Sequence, residues 1–362
     1  MSFTTLASTD FVVSSDSITA PAWSSNVPQL TTFFTASAVP STTISAGAFY
    51  LNVYQTASTA NGAAVQFSIA YGDNNGSGSQ WYNSLVPGAS PSNTTFSQYR
   101  TLIYGPEISG NQGFNFGGQA TNCNNIYVIN VDRNRYKQSL FPGTFNLSLS
   151  SSAGQVQLCD NSNNVSTVTY LDCGRVFNIV SGSFGSAANT TSVGQISNGY
   201  TVSGSYGLFL PDIGTIILNP TALALSAVQG GIGLTPDTAS YGVSGNSVSS
   251  SYTSTNAALV YQAISRSGNF QLNSQETVSS NYIFIRVGNG DYNYTSNPTF
   301  VTGSGNLLWP SMVYSPQTFP TTIGLYNNNT DLLAVAKLSQ PLVKDFTKEC
   351  LVRIKLDWWG LN

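Results

Sequence analysis

The sequence contains no histidine and few charged side chains of either sign. Histidine is the commonest general base and metal ligand, so its absence excludes Ser-His-Asp and Cys-His catalytic sets built from this chain alone. The four cysteines show no closely spaced C-x-x-C pair, which makes a zinc site improbable. We therefore predict a protein that is not an enzyme, with no catalytic residues, no metal site and no cofactor.

Charged side chains are also scarce. Only 7% of the residues are charged, and 12 basic against 15 acidic side chains leave a net charge of -3. A small negative charge does not attract a phosphate backbone, so we expect no nucleic-acid partner. No apolar run approaches about 18 residues, and the first ten residues lack the basic and apolar segments of a secretory signal. We expect neither a membrane span nor a leader.

Neutral polar residues are abundant and provide the hydrogen-bonding groups that charged residues usually supply at a protein surface. The sequence has 51 Ser, 36 Thr and 35 Asn, while 41% hydrophobic residues and 33 Gly leave enough apolar material for a core. An uncharged surface lowers the cost of burying area between subunits, and aromatic residues, here 12%, are enriched in interfaces. The composition favours a homo-oligomer.

Short alternating runs rich in β-branched and aromatic residues indicate strands. In the run 65–71, Val65, Phe67, Ile69 and Tyr71 project to one face of a strand. We predict an all-β fold of β-sandwich or jelly-roll-like modules with few short helices. Asn219, Pro220 and Gly230 bracket the best short-helix candidate, although a strand remains an alternative there. Further strands are predicted at 48–56, 101–104, 126–131, 145–149, 167–171, 175–180 and 282–287.

Changes in composition divide the chain into three parts. Residues 1–180 are predicted to form an N-terminal β-sandwich module, and residues 266–362 a C-terminal β module. Between them, residues 181–265 are Gly- and Ser-rich and nearly uncharged. We interpret this middle segment as an insertion or an assembly surface.

The C-terminal module has the sharpest pattern. Residues 322–326 and 332–338 flank a five-residue loop of turn formers, which predicts a hairpin. From Cys350 to Trp358 the residues alternate, with Val352, Ile354, Leu356 and Trp358 on one face and Leu351, Arg353, Lys355 and Asp357 on the other. A charged face on a strand near the terminus discourages stray edge pairing.

The segments 291–303, 321–326, 332–342 and 346–357 resemble the C-terminal region of virion structural proteins of contractile-tailed, cyanophage-type bacteriophages. The resemblance covers roughly residues 281–357, and the segments 63–72 and 207–214 share it more loosely. It implies a component of the virion, in the tail, baseplate or neck, that is assembled in the host cytoplasm and docks to other virion proteins. It supplies no catalytic residues.

Two clusters are candidate interface residues. Trp358 and Trp359 could insert into a neighbouring subunit, or Trp358 could close the core of its own module. Arg353 and Lys355 lie on the charged face beside them. The cluster with Arg133, Arg135 and Lys137 could meet an acidic partner, although a solvated loop is the favoured interpretation, as it is for the charges at 344–349.

Two smaller motifs have ordinary explanations. Asp160 and the polar residues after it offer alternating oxygens that could bind Ca²⁺, but an Asx-type turn is favoured because the loop lacks the glycine and bidentate glutamate of a calcium site. Cys159 and Cys173 could meet across a hairpin, and we expect them to be reduced because such particles assemble in a reducing cytoplasm.

Two other functions stay open. Abundant Asn, Tyr and Trp would suit a β-sandwich adhesin or receptor-binding protein that recognises surface glycans. A glycoside hydrolase needs only two facing carboxylates, but no acidic pair in the sequence stands out.

Overall fold

The computed structural model describes residues 5–23, 35–37, 45–46, 50–57, 59–76, 81–82, 92–106, 113–116, 122–187, 206–236, 252–294 and 297–359. These residues are mostly β, with large antiparallel sheets and four helices, so the predicted all-β, sandwich-like class is confirmed. Within these residues, none of the helices combines the length and the apolar character needed to cross a bilayer.

The strands in chain order are β1 (Phe11–Pro21), β2 (Thr35–Ser37), β3 (Ser45–Ala46), β4 (Leu51–Tyr54), β5 (Val65–Asp73), β6 (Trp81–Tyr82), β7 (Asn125–Val131), β8 (Ser139–Leu140), β9 (Asn146–Ser150), β10 (Gln155–Asp160), β11 (Thr169–Leu171), β12 (Gly174–Ser183), β13 (Ser186–Ala187), β14 (Gly207–Leu210), β15 (Thr215–Leu218), β16 (Phe270–Gln271), β17 (Asn273–Val287), β18 (Thr322–Tyr326), β19 (Leu332–Lys337) and β20 (Cys350–Trp359). The helices are α1 (Ser92–Tyr104), α2 (Pro220–Ala224), α3 (Tyr252–Ser267) and α4 (Pro310–Tyr314).

The chain divides into two compact units. The central unit is Ile18–Glu276, and the terminal unit combines Met1–Ser17 with Thr277–Asn362. This division differs from the predicted boundaries after residues 180 and 265. Composition alone did not reveal that Met1–Ser17 belongs to the same compact unit as Thr277–Asn362.

One antiparallel sheet organises the central unit. Its strand order is β16-β9-β10-β12-β14-β15-β7-β5-β4-β2, with β11 and β13 attached to β12. Strands β14 and β15 come from the middle segment that we interpreted as an insertion or assembly surface, yet they lie inside the sheet between β12 and β7. Every residue of both strands is buried. Residues 207–218 carry little charge because most of them are core, and their one charged side chain, Asp212, is paired with Arg175. This placement corrects the interpretation of these residues as an insertion or assembly surface.

The central strands are covered on both faces. Along β7, Tyr127 and Ile129 belong to one apolar cluster, whereas Ile126 and Val128 belong to a second. Helix α3 contributes to the first cluster and helix α1 to the second. A strand that is buried on both faces reads as a continuous apolar run, and β7, β14 and β15 have that character.

Three of the four helices, α1, α3 and α4, were not predicted from the sequence. Residues 101–104 were predicted as a strand, but they are the last turn of α1, whose residues Phe96, Arg100 and Ile103 are buried at helical spacing.

The short helix α2 was expected, and it is capped as predicted. The Asn219 side chain accepts a hydrogen bond from the Thr221 amide at 3.0 Å, and Gly230 has a φ of 85° after the following 3₁₀ turn.

The remaining strand predictions hold. The predicted strands at 48–56, 65–71, 126–131, 145–149, 167–171, 175–180 and 282–287 correspond to β4, β5, β7, β9, β11, β12 and β17. In β5, Phe67, Ile69 and Tyr71 are fully buried, as the alternation predicted. The expected hairpin is β18–β19, with its five-residue loop at 327–331.

An aromatic cluster anchors the central unit. The Trp23 ring lies 5.5 Å from Phe67 and 4.9 Å from Phe270, and the Trp23 indole donates to the Phe270 carbonyl at 2.9 Å. Phe145 extends the cluster to Phe209, with ring centroids 5.3 Å apart. Tilted and edge-to-face pairs of this kind stabilise beyond simple area burial.

Phe67→Ala should therefore lower the free energy of unfolding of the central unit by about 3–5 kcal/mol, because it leaves a cavity between Trp23 and Phe270. Urea unfolding followed by tryptophan fluorescence measures the loss. Tyr170→Ala, at a side chain that is 70% exposed on β11, is the control and should change stability little. Equal losses in the two variants would show that the cluster does not anchor this unit.

Candidate assembly surface

The terminal unit has a small core of its own. Its sheet has β17 between β1 and β20, and β20 pairs with β17 from Val287↔Cys350 to Val278↔Trp359. Among the unit's described residues, the buried apolar side chains are only those of Val278, Ile283, Met312 and Ile354. A domain of about 100 residues ordinarily buries well over half of the surface of its unfolded chain. Four such side chains are too few for that.

Apolar side chains that would normally form a core lie instead on the surface of this unit. Most of the exposed large hydrophobic side chains of the described structure belong to it. Tyr314 is 88% exposed, Leu333 68%, and Val313 59%. Single exposed apolar residues are ordinary, but a contiguous set marks an interaction surface.

Many of these side chains line one groove, which we call the apolar groove. It encloses about 1900 Å³ and is lined by Ile283 and Ile285 of β17, Val352 and Leu356 of β20, and residues of the β18–β19 hairpin. Small-molecule sites usually occupy about 300–1,000 Å³, so the groove is larger than one small ligand requires. Its lining offers apolar contact, and its single charged lining residue, Lys344, is fully buried.

The β18–β19 hairpin forms one wall of the groove. Within the described residues its two strands pair only with each other. The loop is held by Asn327, whose side chain accepts from the amides of Asn329 at 2.9 Å and Asp331 at 2.8 Å. A two-stranded hairpin is marginally stable by itself in water, and this one carries the exposed side chains of Leu333 and Val335.

A buried lysine fixes the other side of the groove. The Lys344 ammonium donates to the Asn289 carbonyl at 2.8 Å, the Asn293 side-chain oxygen at 2.9 Å and the Asp345 carbonyl at 2.8 Å. These three bonds satisfy all its protons with uncharged oxygens. The expectation that the charges at 344–349 are solvated is therefore wrong for Lys344, although Lys348 and Glu349 are exposed.

The charged face of β20 is found as predicted. Leu351, Arg353, Lys355 and Asp357 are exposed, while Ile354 on the opposite face is buried. The Lys355 ammonium lies 3.0 Å from the Asp357 carboxylate. Hydrogen bonds from Ser280 and Lys355 lower the pKa of the Asp357 carboxyl, and the bond to Asp357 raises the pKa of Lys355.

The remaining predicted interface residues divide between the two units. In the central unit, Arg133 and Arg135 lie in a 3₁₀ turn capped by Asp132, and the Arg133 guanidinium stacks 4.7 Å from the Tyr136 ring. Arg133 and Lys137 are exposed, which matches the solvated-loop interpretation.

In the terminal unit, the backbones of Trp358 and Trp359 pair with β17. Their side chains lie outside the described residues, so neither interpretation of them is tested.

The two smaller motifs also have clear outcomes. The Asp160 carboxylate accepts from the Ser162 amide at 3.2 Å and from the Gly143 amide at 2.7 Å, so the Asx-type turn is confirmed. No group of three metal-binding side chains occurs within the described ranges. The four cysteines are free, and burial together with the nearby Asp160 charge raises the pKa of the Cys159 thiol to about 12.

The apolar groove and the buried Lys344 were both missed in the sequence. One signal was available for the groove. The run 332–336 is apolar at five consecutive positions, whereas a hairpin with one solvated face should alternate. Such a run predicts that both faces are covered. Nothing local distinguished Lys344 from Lys348, because burial depends on residues 51 to 55 positions earlier in the chain.

The comparisons with known proteins returned no match: no family model, no curated protein and no solved structure matches the chain.

Lys344→Met should destabilise the terminal unit by about 1–3 kcal/mol, because the buried Asn293 side-chain oxygen and two partly buried carbonyl oxygens lose their donor. A thermal melt that monitors the terminal unit by hydrogen exchange measures this effect. Lys348→Met is the matched control, since the ammonium of Lys348 is exposed and lies 3.4 Å from Asp345 at the surface. Identical melts for both variants would contradict the role assigned to Lys344.

Proposed function

We propose that the protein is a non-enzymatic structural component of a tailed-phage virion, in the tail, baseplate or neck. It acts by self-association and by docking to other virion proteins, and it is assembled in the host cytoplasm. The observation that carries the proposal is the terminal unit, whose described residues include four buried apolar side chains and an extensive exposed apolar surface. Contiguous apolar surface on a folded domain is characteristic of protein contacts.

The resemblance to phage virion proteins supports the same conclusion from a separate direction. Its core, roughly residues 281–357, falls within the terminal unit. The segment that looks like a virion protein is therefore also the segment that needs a neighbour to cover it. The low charge of the chain suits contacts that are dry and uncharged.

Sedimentation velocity of the purified full chain between about 1 and 100 µM tests self-association. We expect concentration-dependent oligomers, because the apolar surface is removed from water when copies meet. A chain that stays monomeric throughout this range and binds no other virion protein would contradict the proposed function.

Association should vary little between pH 5 and 8, and little with moderate NaCl, because the chain has no histidine and apolar contacts are not screened. The carboxyl groups of Asp345 and Asp357 in the terminal unit have lowered pKa values, mainly because they accept hydrogen bonds from Thr347 and Ser280, so both stay ionised across this pH range. Burial raises the pKa of Asp160, so its contribution to stability is full below about pH 4 and is lost as the pH rises through its folded pKa. Asp160 lies in the central unit, away from the groove residues in the chain. A sharp dissociation near pH 6 would show that ionic contacts hold the assembly.

Glycan binding remains a second candidate because aromatic side chains are exposed in the terminal unit. Trp309 is 56% exposed and Tyr294 is 58% exposed. The Trp309 indole donates to the Thr299 carbonyl at 3.3 Å and the Tyr294 hydroxyl to the Gly305 carbonyl at 3.2 Å, so both rings are oriented by the same loop. Binding to a glycan array that Trp309→Ala abolishes would favour an adhesin.

A further inference from the structure

We propose that the apolar groove and the β18–β19 hairpin form an interface with a second copy of this chain, in which β19 of one copy pairs antiparallel with β19 of the other. This inference rests on the proposed function and specifies the surface through which copies associate. Three properties of the terminal unit support it: the amount of exposed apolar surface, the distribution of charge, and the open edge of the hairpin.

The exposed apolar surface matches what a stable dimer needs. Val313, Leu333, Val335 and Phe346 line the groove and are each more than half exposed. An aromatic side chain such as that of Phe346 buries about 150–250 Å² and the aliphatic ones less, so the exposed members of the lining together offer on the order of several hundred Å². One partner contributes about 800 Å² to a standard interface. The groove therefore has the scale of a protein contact.

The charge distribution favours an identical partner. The terminal unit has seven acidic and six basic residues, so two copies of it repel each other little. Its surface ion pairs are closed within one chain, as between Arg286 and Glu349 at 2.9 Å. The exposed charges that the structure describes in this unit are of mixed sign, as on β20, where Arg353 and Lys355 lie beside Asp357, so they do not call for a partner of one opposite charge.

The hairpin has an open edge along β19. The Leu338 amide donates to the Thr321 carbonyl at 2.8 Å, so these residues form a hydrogen-bonded pair next to the register pair Thr322↔Lys337. Hydrogen-bonded pairs alternate along an antiparallel ladder, which turns the amides of Val335 and Lys337 outward. An edge of this kind is a template for another strand, and pairing of two hairpins makes a four-stranded sheet.

Charge at the two ends of β19 sets the direction of pairing. Asp331 precedes the strand, Lys337 ends it, and both are exposed. When two copies of β19 run antiparallel about a two-fold axis near Ala334, Lys337 of each copy lies beside Asp331 of the other. Opposite charges across strands stabilise the pair, and like charges would oppose a parallel arrangement.

The test measures the dissociation constant of the full chain by sedimentation velocity. Val335→Glu should raise it about 10- to 100-fold, because a carboxylate would be buried in the contact. Tyr170→Glu, at an exposed aromatic residue of the central unit, is the matched control and should leave it unchanged. If Val335→Glu associates like the wild type, the interface lies elsewhere and this inference is wrong.

Charge reversal distinguishes the proposed register from general stickiness. Lys337→Glu alone should weaken association about 3- to 10-fold, because it faces Asp331 of the second copy. The double variant Asp331→Lys, Lys337→Glu should restore it, because the pair is complementary again with its signs exchanged. If the double variant is as weak as the single variant, the antiparallel pairing of β19 is excluded.

Hydrogen exchange provides a measurement that does not depend on variants. The amides of Val335 and Lys337 should exchange rapidly at low concentration and slow at least tenfold when the chain associates. Association without protection of β19 would overturn the inference and leave the proposed function standing. A chain that neither associates nor binds virion proteins would overturn both.

Discussion

The structure depends on one constraint. Apolar surface must be buried in a chain that has few charged side chains to place on its surface. The central unit meets this need internally, because its sheet is covered on both faces and its middle strands are wholly buried. The terminal unit does not meet it, since only four apolar side chains are buried among its described residues. The contrast between the two units is the reason to look for function in the terminal one.

Neutral polar side chains take over the tasks that charged ones usually perform. Asn219 caps a helix, Asn327 organises a hairpin loop, and Asn130 accepts a hydrogen bond from Thr215 at 2.8 Å across neighbouring strands. Even the buried ammonium of Lys344 is balanced by uncharged oxygens. The hydrogen bonds of the three Asn side chains are directional and add no charge. They order the chain without adding repulsion between two copies of it.

The proposed assembly follows from the same distribution. The large groove has an exposed apolar lining. The hairpin beside it pairs with no other strand of the described structure, and a two-stranded hairpin is only marginally stable by itself. A second copy would complete the hairpin's sheet and remove the exposed lining from water. The glycan-binding alternative uses Trp309 together with Tyr294, which also lines the groove.

Local pattern was enough to find most of the strands. The alternation in β5 and β20, the turn formers between β18 and β19, and the capped start of α2 each depend on neighbours a few residues away. Helix α1 was missed because three of its final residues, Thr101, Ile103 and Tyr104, are β-branched or aromatic and resemble a strand. The helical spacing of its buried positions becomes recognisable only over three turns. Packing of the helix against the sheet outweighs the preference of residues 101–104 for a strand.

By itself the sequence determined the β-rich class, the positions of the main strands, and the absence of histidine chemistry, because these follow from composition and from periodicities of two to four residues. Only the tertiary structure decided that residues 207–218 lie at the centre of a sheet, that the two chain ends share a unit, and that Lys344 is buried. Each of these depends on contacts between residues far apart in the chain, and no local pattern records which distant segment will cover a given apolar face.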